Sequence, residues 1–149
     1  MAYTPFTKDD QPTMQAFNDA FEGAVQDSLR RGLQIETGSY VGDGTYGGGN
    51  PCSIAFKGKP YFVAVAAEDH VLGSMYFVRN AASALAPSTS DYPSQVAHVE
   101  WTENVVSWNI TGTHSLGGGT STSIMNAKSQ LNASGQTYHY FGLCESEVT

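Results

Sequence analysis

Apolar residues change period once along this chain, and that change constrains the fold more than any other feature. Met14, Phe17, Phe21, Val25 and Leu29 recur at intervals of three and four, while Gln15, Asp19, Glu22, Gln26 and Arg30 fall on the opposite side. This spacing predicts one amphipathic helix. Asp10 or Thr13 is placed to cap it, Pro12 is tolerated in its first turn, and Arg30, Arg31 and Gly32 suit its end. The stripe covers barely two heptads, too short for a free-standing coiled coil. With only strands and turns expected after it, the helix needs a partner outside itself: another copy of the chain or the body of a larger assembly.

From Leu33 the period is two. Strands are expected over Leu33–Val41, 52–56, 61–67, 72–78, 97–101, 105–110 and 137–144, separated by turn residues such as Gly42-Asp43-Gly44 and Gly58-Lys59-Pro60. Residues 61–67 are almost continuously apolar, which marks a central strand. Val106, Trp108 and Ile110 share one face, so Trp108 is expected in the core. Residues 79–95 show no period and read as a long loop. Residues 112–123, with Gly117, Gly118 and Gly119, also read as a loop. Residues 124–131 fit either a strand or a short helical turn. The expected class is mainly β: an antiparallel β-sandwich preceded by one N-terminal amphipathic α-helix. Residues 1–32 would form the arm and the attachment or oligomerisation helix, and 33–149 the sandwich.

Composition narrows the function classes. The 149 residues carry 14 acidic and 7 basic side chains, a formal charge of −7. Without a basic patch, no nucleic-acid partner is expected, and the acidic balance disfavours anionic membrane surfaces. No apolar run reaches about 18 residues, so no membrane insertion is expected. The opening Met1-Ala2-Tyr3-Thr4-Pro5 lacks the basic and apolar regions of a secretory leader. Cys52 and Cys144 are the only cysteines. They read as two buried thiols, with a bridge between them left open.

Catalytic patterns are missing. His70, His98, His114 and His139 have no metal-ligand spacing. Ser74 is not in a nucleophile elbow. Neither glycine run ends in the Gly-Lys-Ser/Thr of a phosphate cradle. Asp9-Asp10 suits capping, and Glu100 and Glu103 flank a hairpin without the facing geometry that glycoside hydrolysis needs. No enzyme activity, metal or cofactor is expected. The aromatic residues are the one positive signal. Aromatic rings stack on sugars while polar neighbours bond the hydroxyls, and binding residues tend to lie in loops. Tyr46, Asp69, His70, Tyr92 and His114 are the loop residues placed for such a role.

Two segments resemble known proteins. The opening Ala2-Tyr3-Thr4-Pro5 with Phe17, Asn18, Phe21, Glu22, Gly23, Ala24 and Val25 resembles the start of bacteriophage fibre and tail proteins. The stretch Thr37-Gly38-Ser39-Tyr40 with Asn50-Pro51-Cys52 and Pro60-Tyr61-Phe62-Val63 resembles their terminal β-sandwich, and Trp101, Trp108, Tyr138 and Tyr140 fit the same pattern. Fewer residues look like an H-type lectin. The resemblance implies a homotrimeric structural protein of the virion: a short fibre, tail or decoration module. It would be anchored through Met14, Phe17, Phe21, Val25 and Leu29, with the sandwich outward. Its partners would be itself, other virion proteins of the capsid, tail or baseplate, and, as the alternative role of a receptor-binding adhesin, a host surface carbohydrate. One departure from the family is that no long shaft separates helix from sandwich.

Overall fold

The computed structural model describes residues 16, 19–20, 22–23, 32–69, 73–87, 95–111 and 120–146. Among the described residues the complete elements run in the order β1 (Leu33–Val41), β2 (Cys52–Ala55), β3 (Pro60–Ala67), β4 (Ser74–Val78), β5 (Ser83–Leu85), β6 (Val96–Trp101), β7 (Val105–Ile110), α1 (Thr120–Ser129) and β8 (Thr137–Glu145). They form two four-stranded antiparallel sheets, ordered β1-β8-β3-β4 and β2-β7-β6-β5. The chain stays within a sheet at the β3–β4, β5–β6 and β6–β7 hairpins and changes sheet at its other connections. β1 and β8, nearly the whole chain apart, pair from Leu33 opposite Glu145 to Val41 opposite Thr137.

Alternation builds the core. Val63 and Val65 of β3, Met75 and Phe77 of β4, Val106 and Trp108 of β7 and Tyr138 of β8 point between the sheets and are buried. The Phe77 and Trp108 rings meet at 4.8 Å between centroids, and Tyr40 stacks on Tyr138 at 5.1 Å. Each such large side chain contributes on the order of 1.5–3 kcal/mol by leaving water. Trp108 takes the core position its alternation predicts. Cys144 is fully buried, Cys52 is half-buried, and both are free thiols.

Two expectations need correction. Residues 79–95 are not all loop, because β5 lies within them as an edge strand on β6. Three residues are too few for alternation to register. The chain after Leu33 is also not built only of strands and turns: residues expected as loop and as an undecided segment form α1. This helix buries Asn126, Ala127 and Ser129, followed by Gln130 and Leu131, a mostly polar set with no apolar stripe. Hydrophobic periodicity could not find it, and tertiary contacts hold it.

Those contacts are specific. Gln130 accepts from the N–H groups of Gly47 and Ile110 (2.8 and 3.2 Å) and donates to the Asn50 carbonyl at 2.7 Å. Asn132 accepts from the Asp43 N–H and donates to the Asp43 carboxylate and the Thr45 carbonyl. The last turn closes as a Schellman motif, with the Leu131 N–H on the Lys128 carbonyl and the Asn132 N–H on the Ala127 carbonyl. Leu131 therefore occupies the left-handed position, at φ 59°, where glycine is usual. Its carbonyl accepts the Tyr40 hydroxyl at 2.7 Å.

The helix expected over the N-terminal stripe is not established. Ala16, Asp19, Ala20, Glu22 and Gly23 have helical backbone, but Met14, Phe17, Phe21, Val25 and Leu29 lie outside the described residues. Among the described residues no helix is long and apolar enough to cross a membrane.

Candidate functional site

The two sheets differ in what they show to the outside. On the β1-β8-β3-β4 sheet, strand register sets the outward side chains in three rows: Ile35, Leu143, Phe62 and Val78; Thr37, Phe141, Ala64 and Tyr76; Ser39, His139, Ala66 and Ser74. Ile35 is 68% exposed, Tyr76 60%, Val78 57% and Phe141 41%. Phe62 lies nearly parallel to Tyr76, 6.3 Å apart at 18°, and meets Phe141 at 6.1 Å. No Asp, Glu, Lys or Arg occurs in these three rows, but beside the first of them exposed Glu145 stands opposite Leu33 on the same face. The first row is aliphatic and aromatic, and the third is polar.

The other sheet faces outward with Ser53, Ser107 and Glu100 in one row and Asn109, His98 and Ser83 in another. His98 and Glu100 meet at 3.2 Å. These two rows are polar, while at the β5 edge of the same face Leu85 and Val96 form an exposed apolar pair. Single exposed apolar residues need no explanation, but a contiguous apolar patch does.

The local sequence makes the asymmetry clearest in β1. Its inward positions are Gln34, Glu36, Gly38 and Tyr40, and its outward positions include Leu33, Ile35 and Val41. Near its start, the apolar phase of the strand thus points away from the core. Glu36 is held inward because its carboxylate accepts the N–H groups of Lys57 and Gly58 at 2.7 and 2.9 Å, tying β1 to the β2–β3 turn. Burial alone would raise its carboxyl. The Lys57 and Gly58 N–H donors, with the Cys144 and Gln34 side chains, outweigh that and hold it below its ordinary value. A one-residue slip would exchange the two faces of the strand, and the Glu36 anchor sets the observed phase.

Over the third row the surface forms a shallow groove of about 680 Å³, lined by Thr37, Ser39, Ser74, Tyr76, His139 and Phe141 among others. His139 Nε2 lies 3.7 Å from a Glu68 carboxylate oxygen, both well exposed. A second, more polar recess of about 400 Å³ lies between the β1–β2 loop and Asn132, with Asp43, Asn50 and Ser53 in its wall. The Thr45 hydroxyl and N–H and the Asn132 amide hold the Asp43 carboxylate below its usual range. These bonds already engage the recess's own polar groups in fastening the loop. Among the described residues no three His, Cys, Asp or Glu side chains gather as a metal cage.

The loop residues singled out from sequence do not form one site. Tyr46 sits half-buried in the β1–β2 loop with its hydroxyl 3.5 Å from that of Ser123. Asp69 is exposed after β3. His70, Tyr92 and His114 lie outside the described residues. The outward rows of the first sheet were missed, although a signal was present. In β3 and β4 both alternating phases carry apolar residues, the pattern of a strand covered on both faces. Compared with known proteins, the chain matches no family model, no curated protein and no solved structure.

Proposed function

We propose that this chain is a structural protein of a bacteriophage virion: a short homotrimeric fibre, tail or decoration module. On this reading residues 1–32 hold it to the particle through an amphipathic helix, and 33–149 form the outward sandwich. It carries no enzyme activity and needs no cofactor. The observation that carries the reading is the three-row, charge-free and largely apolar outer face of the β1-β8-β3-β4 sheet, more extensive than the single exposed pair Leu85 and Val96 on its counterpart. A face with Ile35, Phe62, Tyr76, Val78 and Phe141 in water belongs to a protein that works assembled. The resemblance of the opening and of the Thr37–Val63 stretch to fibre and tail proteins supplies the kind of assembly.

The test combines solution mass and particle attachment. Light scattering on the purified chain should give three times the 15.9 kDa of one copy, and the protein should co-sediment with virions through residues 1–32. A stable single copy that attaches to particles equally well without that segment would sink the reading.

A second reading is favoured by the groove over Ser39, Ser74 and Tyr76, where hydroxyls border an aromatic platform. That arrangement suits a host surface carbohydrate and an adhesin role. Binding to a glycan array that Tyr76→Ala abolishes would establish it.

A further inference from the structure

We infer that the groove along β3 on the outer face of the β1-β8-β3-β4 sheet takes an uncharged pyranose ring of a neutral glycan and rejects acidic sugars. The inference rests on the carbohydrate reading given second above. It adds the class of sugar and the place where the ring lies.

Shape selects a small ligand. Phe62, Ala64 and Ala66 follow one another on the outward side of β3. Strand register puts Phe141 and Tyr76 on either side of Ala64, and His139 and Ser74 on either side of Ala66. Two methyl groups thus form the floor of a trough, and its walls stand on β8 and β4. Two strand spacings and two rows make it about 10 Å across and about 14 Å long. That footprint is far below the ~800 Å² per partner of a stable protein interface. Its volume of about 680 Å³ lies within the roughly 300–1,000 Å³ of small-molecule sites.

Polarity selects a sugar. Phe62 closes one end of the trough, with its ring nearly parallel to that of Tyr76. Beyond Ala66, at the other end, a Glu68 carboxylate oxygen lies 3.7 Å from His139 Nε2. The hydroxyls of Ser39 and Ser74 border that polar half. A pyranose is graded in the same way. Its C–H face lies against an aromatic wall, where the electron-rich ring meets polarised hydrogens. Its hydroxyls need donors and acceptors together, which serine, histidine and carboxylate groups supply.

Charge selects the class of sugar. No Lys or Arg occurs anywhere in β1, β3, β4 or β8. A carboxylate, sulfate or phosphate on the ligand therefore finds no cation in the sheet, while Glu68 and the overall charge of −7 repel it. An ammonium group gains little, because Glu68 is well exposed and an ion pair there is worth little.

The experiment measures binding to an array of neutral hexose oligosaccharides beside uronate-, sialic acid- and amine-bearing ones. The full chain is compared with Ala66→Leu, which fills the trough from an exposed position, and Ala55→Leu, which adds the same bulk at an exposed position of the other sheet. The expected result is neutral-sugar binding by the full chain and by Ala55→Leu, with Ala66→Leu weaker by roughly tenfold or more. Neutral binding that Ala66→Leu leaves unchanged overturns the inference and leaves the carbohydrate reading standing. A preference for acidic or amine-bearing sugars does the same. No binding to any glycan overturns the inference and the carbohydrate reading together. Should Ala66→Leu fail to fold, methyl NMR of the full chain with a neutral oligosaccharide decides the matter. Shifts at the Ala64 and Ala66 methyls support the inference, and shifts confined to the other sheet, as at Leu85, overturn it.

Discussion

Trp108 donates its indole N–H to the backbone carbonyl of Gln130 at 2.8 Å, which ties the core of one sheet to the end of α1. The Gln130 side chain then reaches the β1–β2 loop and β7. One residue after the helix thus fastens α1 both to β7 and to the β1–β2 loop.

Gln130→Ala should destabilise the protein by about 2–3 kcal/mol. It removes little apolar surface but strands the buried N–H of Ile110, worth roughly 1–3 kcal/mol without a partner, and gives up the bonds to the Gly47 N–H and the Asn50 carbonyl, which lie nearer solvent. Urea unfolding followed by tryptophan fluorescence measures it. A loss under about 1 kcal/mol would mean that water replaces the amide.

Leu131 should reverse the usual order of substitutions. At φ 59° the residue is strained by roughly 1 kcal/mol, while its buried side chain contributes about 2–5 kcal/mol. Both Leu131→Gly and Leu131→Ala should destabilise, but the glycine variant less, by about 1 kcal/mol, because only it relieves the backbone. Chemical denaturation of the pair decides it.

Gly42 should tolerate no side chain, whereas Gly49 should. A Cβ on Gly42 would collide with the Ala133 carbonyl oxygen, a backbone atom that cannot swing aside, and a Cβ on Gly49 would meet nothing within 4 Å. Gly42→Ala should cost about 1–3 kcal/mol, and Gly49→Ala should change the midpoint little. Thermal melts of the two variants give the comparison.

Stability should be bounded at both ends of the pH scale. The Glu36 and Asp43 carboxyls lie below their ordinary values, so their contribution is present above about pH 4.5 and is lost as pH falls through the folded-state values. Burial pushes the Cys52 thiol up to about 11 and the Cys144 thiol up to about 12. The thiol contribution is intact below about pH 9 and is lost as pH rises toward those values. Urea midpoints between pH 3 and 10 should form a plateau with falling limbs. Both thiols should react with Ellman's reagent at pH 8 only slowly until the protein unfolds.

Much of the sandwich is legible in the chain. Leu33–Val41 has the same bounds in sequence and structure. The β6–β7 hairpin, the central position of β3 and the core position of Trp108 follow from alternation and turn residues. These are local signals, written in period two. Three features are not local. β5 exists because β6 offers it a pairing edge. α1 exists because Gln130 and Asn132 find partners about eighty to ninety residues earlier in the chain. The outward turn of Ile35 is set by the bonds from Glu36 to Lys57 and Gly58, about twenty residues later. By itself the sequence determined the strand periods, the turns and the polarity of each phase. Only the tertiary structure decided which phase faces the core, because alternation distinguishes two faces of a strand without saying which one is covered.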